Sequence, residues 1–201
     1  MSRPSTRRSD PDRLEAFSDG VMAVLITLMA FDLREPGGGT LRDLAHSVPS
    51  LLVYILSFAF IGIYWSNHHH LLRSTERISG AVMWTNLHLL FWLSLIPVLT
   101  KWVADNHSAA LPACAYGAAG LGAAIAYELL VLAIVAANGS ASEVARALGH
   151  DLKGRLSPIA YAAGLGLAWV SPWISYALYV GVSVMWFMPD RRLSRLDLDG
   201  R

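Results

Sequence analysis

Ionisable side chains inside long apolar runs are the first candidates for chemistry in this sequence. An ionisable residue at membrane depth costs roughly 2.5–3.5 kcal/mol on insertion scales, so each one requires a partner or a function. His88 and Glu128 lie about eight and nine residues from the inner ends of their apolar runs, which gives them similar depths at about 1.5 Å per residue. We predict that they pair across antiparallel helices and could serve proton-coupled transport. The alternative is a protonated Glu128 bonded to a backbone carbonyl.

A run of three histidines, His68, His69 and His70, is a candidate for metal binding, because imidazole is a common metal ligand. Consecutive residues of a helix point about 100° apart, and no Cys or carboxylate lies beside the run at a metal-ligand spacing. We therefore expect no metal and no cofactor, and we favour His68 or His69 as a hydrogen-bond partner of the first helix. A metal protein built on this run is the least favoured alternative.

Polar residues also lie at the start of the first apolar run and inside the third. From the residues alone, Ser18 or Asp19 is expected to cap the first helix, while Arg13 faces lipid headgroups. The alternative is a buried polar cluster with partners on other helices. Asn86, inside the third run, is expected to face protein, where hydrogen bonds between helices satisfy it. No Ser/His/Asp arrangement, phosphate-binding loop or Cys pair is visible, so the sequence predicts a non-enzyme.

The composition is that of an integral membrane protein. Hydrophobic residues make up 54% of the 201 residues and charged residues 15%, well below the roughly 25% charged residues of a soluble domain, and the mean hydropathy is +0.43. A membrane-spanning helix needs about 20 mostly apolar residues. We predict an all-α fold with six such helices, over residues 17–33, 48–65, 80–102, 109–137, 158–170 and 173–188.

The distribution of basic residues supports six spans with both termini in the cytoplasm. This topology places thirteen of the 16 Lys and Arg residues inside and leaves Arg34, Arg42 and Lys101 outside, as the positive-inside rule requires. A re-entrant pair in place of the last two spans would put the C-terminal arginines outside. We therefore expect cytoplasmic tails over 1–12 and 190–201 and one six-helix transmembrane domain over 13–189.

The first helix carries bulky apolar residues at positions i, i+4 and i+7, which share one face: Val24, Leu28 and Phe31. In isolation this stripe is expected to face lipid or the protein core. If several copies surrounded an axis, the stripe would form apolar rings, which can gate conduction by dewetting. Thr27 would add a ring of hydroxyls, and Asp32 and Glu35 at the outer end would attract cations.

The residues that could hold the helices together form recognisable segments. The first helix begins with a charge, an aromatic ring, a hydroxyl and a carboxylate at fixed spacing, Arg13-xxx-Phe17-Ser18-Asp19. Later helices contain Trp65-Ser-Asn67-His68-His69, Trp84-Thr-Asn86-Leu87 and Pro97-Val-Leu-Thr100. Together these segments resemble the signature of the transmembrane protein 175 family, the endosomal and lysosomal potassium channels of animals and their bacterial relatives. The resemblance covers the first three helices, and the last three match mainly in hydropathy and length.

The resemblance implies a bacterial homotetramer with one six-helix unit per chain and a pore lined by the first helix. It places the constriction at Val24, Leu28 and Phe31, with Thr27 close by. It also implies that no carbonyl-lined Thr-Val-Gly-Tyr-Gly filter is used, and the sequence lacks one. Phe31 departs from the pattern, because an aliphatic residue is expected at the outer ring.

The same resemblance replaces the cap interpretation with a polar network between the first three helices. The implied members are Arg13, Phe17, Ser18, Asp19, His68 or His69, Trp84 and Asn86. The function implied is a potassium-permeable cation channel in the bacterial inner membrane, with K⁺ as the permeant ion and other monovalent cations as further candidates. The expected partners are copies of the same chain and membrane lipid, with no nucleic acid. The proton-coupled transporter is the alternative function.

Overall fold

The computed structural model describes residues 10–33, 35–139 and 152–187, and the regular structure in these ranges is helical throughout. The helices, numbered here in chain order, are α1 (Asp10–Phe31), α2 (Leu41–Arg73), α3 (Gly80–Ser94), α4 (Ile96–Asp105), α5 (Ala110–Asn138), α6 (Leu152–Leu167) and α7 (Pro172–Phe187). The all-helical membrane fold predicted from the sequence is confirmed.

The described helices include four segments that are long and apolar enough to cross a membrane: Asp10–Phe31, Leu41–Arg73, Gly80–Asp105 and Ala110–Asn138. The third combines α3 and α4. Helix α7 is apolar but shorter, at 16 residues, and α6 has the same length. At about 1.5 Å per residue, each is about 24 Å long, slightly less than the hydrocarbon core of about 30 Å. The last two helices are therefore a pair of short helices in contact with each other, as predicted.

Several boundaries differ from the predicted ones. Helix α1 begins at Asp10, inside the segment expected to be a tail, and residues 190–201 of the other expected tail lie outside the described ranges. Helix α2 begins at Leu41, where a capping box between Thr40 and Asp43 satisfies its first turn. Helix α2 thus begins before residue 48, where the second span was predicted to begin. Helix α6 begins before residue 158, because Lys153 and Arg155 lower the hydropathy of its first turns without ending the helix.

The break between α3 and α4 has a local cause. Pro97 lies in the first turn of α4, where its missing N–H group is tolerated at a helix start but would interrupt a continuing helix. The α6–α7 connection is similar, with Pro172 as the first residue of α7. Pro97 thus marks an interruption within one apolar segment, whereas Pro172 begins the second helix of the α6–α7 pair.

The centre of the bundle is α5, whose small residues allow other helices to approach closely. Tyr179 lies against Gly117, and Tyr161 lies against Gly120, so that a Cβ atom at either glycine would collide with a ring. Trp92 on α3 lies against Gly122 in the same way. Helix α5 therefore works as a grooved scaffold that accepts aromatic rings from α3, α6 and α7.

Candidate functional site

A polar triad of Ser18, His68 and Asn86 joins α1, α2 and α3. The Asn86 side-chain nitrogen donates to Ser18 Oγ at 3.0 Å, and its Oδ1 lies 2.7 Å from His68 Nε2. Because an amide oxygen only accepts, His68 Nε2 must carry the donated proton. Ser18 Oγ in turn donates to the Leu14 carbonyl at 2.9 Å. All three side chains of the triad are fully buried, so these hydrogen bonds compensate much of the loss of water. His68 Nδ1 is buried without a hydrogen-bond partner in the described part of the chain.

This geometry excludes the cap interpretation of Ser18 and Asp19, because α1 begins at Asp10 and both residues lie in later turns. Three other members of the predicted network lie on the surface of the subunit instead: Arg13, Phe17 and Trp84 are exposed, Trp84 to 75%. Asp19 and His69 lie next to the triad in sequence and form a second cluster with Glu15, whose carboxylate is 2.6 Å from His69 Nδ1. Sequence reasoning missed Glu15, although its i, i+4 spacing to Asp19 was visible.

Helix α1 has two different faces. The buried face contains Ser18, Met22, Leu25 and Met29, at spacings of three and four residues. The opposite face carries the predicted apolar residues, and the described helices leave them exposed: Val24 is 54% exposed, Leu28 47% and Phe31 88%. These three residues, with Thr27 beside them, are called the exposed stripe below. The structure therefore places the predicted constriction residues together on one surface.

The hydroxyl of Thr27 has a defined orientation within the exposed stripe. Thr27 Oγ1 donates to the Val24 carbonyl at 2.8 Å, and it lies 3.2 Å from the Ala23 carbonyl. With its proton directed to the helix backbone, the oxygen keeps acceptor lone pairs. An acceptor on an otherwise apolar face is the chemistry that a cation requires when it sheds water.

The carboxy-terminal end of α1, which the predicted topology places on the outer side, carries an ion pair that sequence reasoning missed. Lys101 Nζ on α4 lies 2.7 Å from Asp32 Oδ1, and both side chains are partly exposed. Asp32 is therefore not the unneutralised mouth charge that was expected, because Lys101 compensates it. This pair is called the outer bridge. Glu35, the other predicted mouth residue, lies beyond the end of α1 and is exposed. The ion pair could have been predicted from the sequence, because Lys101 and Asp32 both lie at the predicted outer ends of their spans.

A second group of buried hydroxyls connects the helices near the carboxy-terminal end of α1. Thr100 Oγ1 lies 2.7 Å from Ser57 Oγ and 2.7 Å from the Ile96 carbonyl, and Ser57 Oγ lies 3.0 Å from the Tyr116 hydroxyl. The group joins α2, α4 and α5, and Thr100 also contacts the Met29 sulfur of α1 at 3.7 Å. Helix α1 is thus held on its buried face at both ends.

His88 and Glu128, predicted to pair, lie in different places. His88 is exposed on α3, where its Nε2 accepts a hydrogen bond from Trp92 Nε1 at 3.0 Å. Glu128 lines a cavity bounded by α2, α5, α6 and α7. The α5 surface that meets Trp92 is at Gly122, and Glu128, six residues later, lies about 120° around the helix. The structure does not bring the two together, because the position of Glu128 around the axis of α5 decides which helix it faces.

Comparison with known proteins provides independent information. A family model described as endosomal/lysosomal potassium channel TMEM175 matches residues 13–97, a segment that includes the triad and the exposed stripe. A potassium channel of Chryseobacterium sp. (strain P1-3) is 40% identical over 183 residues, which span 91% of this chain and 95% of the relative. The human endosomal/lysosomal proton channel TMEM175 is 30% identical over 99 residues, 43% of this chain and 20% of the relative.

A solved structure is similar over almost the whole chain. The crystal structure of a lysosomal potassium-selective channel TMEM175 homolog from Chamaesiphon minutus matches with a TM-score of 0.80 at 26% sequence identity. The match covers 90% of this chain and 98% of that chain. The similarity therefore includes α5, α6 and α7, which the family model does not reach.

Proposed function

The chain belongs to the TMEM175 family, and on that premise we propose that it is one subunit of a potassium-permeable channel. In this proposal four copies surround a pore lined by α1, and the chain lies in a bacterial inner membrane with both termini in the cytoplasm. The bacterial relative named above is a potassium channel, and the similar solved structure is that of a potassium-selective channel. The relatives found are channels, which also favours a non-enzyme.

The main observation that supports the proposal is that the stripe on α1 is exposed while the opposite face of the same helix is packed against other helices. No helix in the described ranges covers Val24, Leu28 and Phe31, while the triad and Thr100 fix the other side of α1. Around a four-fold axis, the stripe forms stacked apolar rings with one ring of Thr27 oxygens between them. Apolar rings of this kind block ions when they dewet.

The mechanism follows from these rings. The chain has no Thr-Val-Gly-Tyr-Gly segment, so backbone carbonyls of that type cannot replace the hydration shell of K⁺. Oxygens of Thr27 are the polar groups of the stripe that can do so. Conduction then requires the rings at Val24 and Leu28 to widen enough for water to enter, and selectivity depends on how closely the Thr27 oxygens approach the ion.

The proposal is tested by measuring reversal potentials with purified protein in planar bilayers. We expect the reversal potential to follow the potassium gradient, and we expect Leu28→Ala to change conductance because it removes bulk from one ring. Leu132→Ala is the matched control, since Leu132 is an exposed leucine on α5, far from the stripe in sequence. Assembled protein without cation flux, or equal effects of the two variants, would contradict the proposal.

The subunit number has a separate test. A tetramer has a protein mass of about four times 21.9 kDa, which light scattering measures after subtraction of bound detergent. A monomer or dimer as the sole species would contradict four-fold assembly. The proton-coupled transporter is less favoured, because its two proposed groups, His88 and Glu128, lie on different sides of α5. A proton gradient in the same bilayer measures whether protons also permeate, as the name of the human relative suggests.

A further inference from the structure

Three side chains of metal-ligand type converge near the amino-terminal part of α1, outside both the triad and the exposed stripe. Glu15 and Asp19 lie one turn apart on α1, and His69 approaches them from α2. One ligand atom from each residue can be chosen so that all lie within 4.8 Å of one another. The closest pair is Glu15 Oε1 and His69 Nδ1, at 2.6 Å. Zn²⁺ binds nitrogen and oxygen ligands at about 2.0–2.2 Å, so ligand atoms of one ion lie at most about 4.4 Å apart. Small side-chain rotations would bring the three atoms of this cluster to such separations.

Two atoms of this cluster have no hydrogen-bond partner in the described part of the chain. Asp19 Oδ1 is buried and accepts no hydrogen bond there, and His69 Nδ1 is buried without hydrogen-bond geometry despite its short distance to Glu15. Two carboxylates in one small volume repel each other, and a single imidazole supplies at most one positive charge. A bound dication would compensate both carboxylates and satisfy the orphaned oxygen.

We propose that Glu15, Asp19 and His69 bind one divalent first-row transition-metal ion, with Zn²⁺ as the representative. One imidazole and two carboxylates make three protein ligands, and a water molecule completes a tetrahedral site. The imidazole disfavours Mg²⁺ and Ca²⁺, which select oxygen ligands. This inference departs from the expectation of no metal, which considered the His68, His69 and His70 run by itself and missed the carboxylates that α1 brings to it.

The position of the site determines what binding does. Asp19 follows Ser18 and His69 follows His68, so the metal ligands are the sequence neighbours of two triad residues. A metal ion that links Glu15 and Asp19 to His69 clamps α1 onto α2 beside the triad. The clamp restrains the same helix that the proposed function places at the pore, although metal binding itself does not depend on that function.

The test measures Zn²⁺ binding to the full-length protein after removal of any affinity tag. Isothermal titration in detergent should give one Zn²⁺ per chain for the natural sequence. Because loss of even an outer-shell partner lowers metal affinity about 10–100-fold, His69→Gln and Asp19→Asn should each lower it at least tenfold. His70→Gln is the matched control, since His70 is the exposed neighbour in the same run and should leave affinity unchanged.

A thermal readout keeps the test decisive when a variant folds less well. Zn²⁺ should raise the Tm of the natural protein and of His70→Gln, and it should not raise the Tm of His69→Gln. Equal binding by His69→Gln and His70→Gln, or no binding by the natural protein, would overturn the proposal. Neither measurement uses ion flux, so a channel without Zn²⁺ binding and a Zn²⁺-binding protein without conduction give different results.

Discussion

Helices α1 and α5 are both long and apolar, yet they are used in different ways. Half of the most apolar window of α5 is buried in the subunit, compared with 22% of the corresponding window of α1. Helix α5 is buried because its glycine and alanine residues leave space in which aromatic rings of neighbouring helices pack. Helix α1 is attached along one face, by the triad, by Met29 and by the outer bridge. Helix α5 therefore holds the subunit together, whereas α1 keeps one face exposed, and in the proposed tetramer that face lines the pore.

The largest expected effect comes from breaking the scaffold. Gly122→Val on α5 should lower the free energy of unfolding by about 1–3 kcal/mol, the usual penalty for overpacking, because the added atoms collide with the ring of Trp92. Thermal unfolding monitored by size-exclusion chromatography measures the change in Tm. Gly62→Val is the control, since a Cβ atom at Gly62 meets nothing within 4 Å and should be tolerated. Equal losses at both glycines would contradict the assignment of α5 as scaffold.

The next effect comes from removing the centre of the triad. Asn86→Leu leaves Ser18 and His68 buried without their shared partner, and an unsatisfied buried group costs about 1–3 kcal/mol. We expect a clear fall in Tm in the same chromatographic assay. Leu87→Ala is a control at the exposed neighbouring position. If Asn86→Leu and Leu87→Ala have the same Tm, the triad does not contribute to the stability of the protein.

Loss of the outer bridge should affect conduction more than stability. Lys101→Met removes the partner of Asp32, and an exposed ion pair contributes only about 0–1 kcal/mol. In the proposed tetramer, however, four uncompensated carboxylates then lie near the pore mouth and raise the local cation concentration. Conductance at low ionic strength should rise, and the additional change Asp32→Asn should reverse the increase. An unchanged conductance in Lys101→Met would place the outer bridge away from the ion path.

The smallest expected effect on stability is at the exposed stripe. Leu28→Ala removes a side chain that packs against little within the subunit, and changes at such surface positions usually stay within about 0.5 kcal/mol. Its Tm should therefore remain close to that of the natural protein, while its conductance changes. A large fall in Tm together with loss of the oligomer would instead identify the stripe as a contact between subunits.

The success of sequence reasoning differs between these regions for physical reasons. Membrane-spanning helices can be predicted from sequence because a membrane requires long apolar runs. Two members of the triad, Asn86 and His68, were predicted to make hydrogen bonds between helices because a buried polar side chain needs partners. The predicted contact between His88 and Glu128 was wrong because hydropathy indicates depth in the membrane but not the direction in which a side chain leaves the helix. The outer bridge was missed because Asp32 and Lys101 were considered separately, one as a mouth charge and the other as a topology marker. The start of α6 was placed too late because Lys153 and Arg155 resemble a loop in hydropathy.

The most direct measurement of the central claim, that α1 lines the pore, is chemical access to Thr27. In a Cys114→Ser background, which removes the only cysteine of the chain, Thr27→Cys should react with a charged, membrane-impermeant thiol reagent. Potassium flux in proteoliposomes should then fall, and it should recover when the adduct is reduced. Leu132→Cys, on the exposed surface of α5, should show no change. Undiminished flux in Thr27→Cys after the adduct is verified by mass spectrometry would contradict a pore at the exposed stripe.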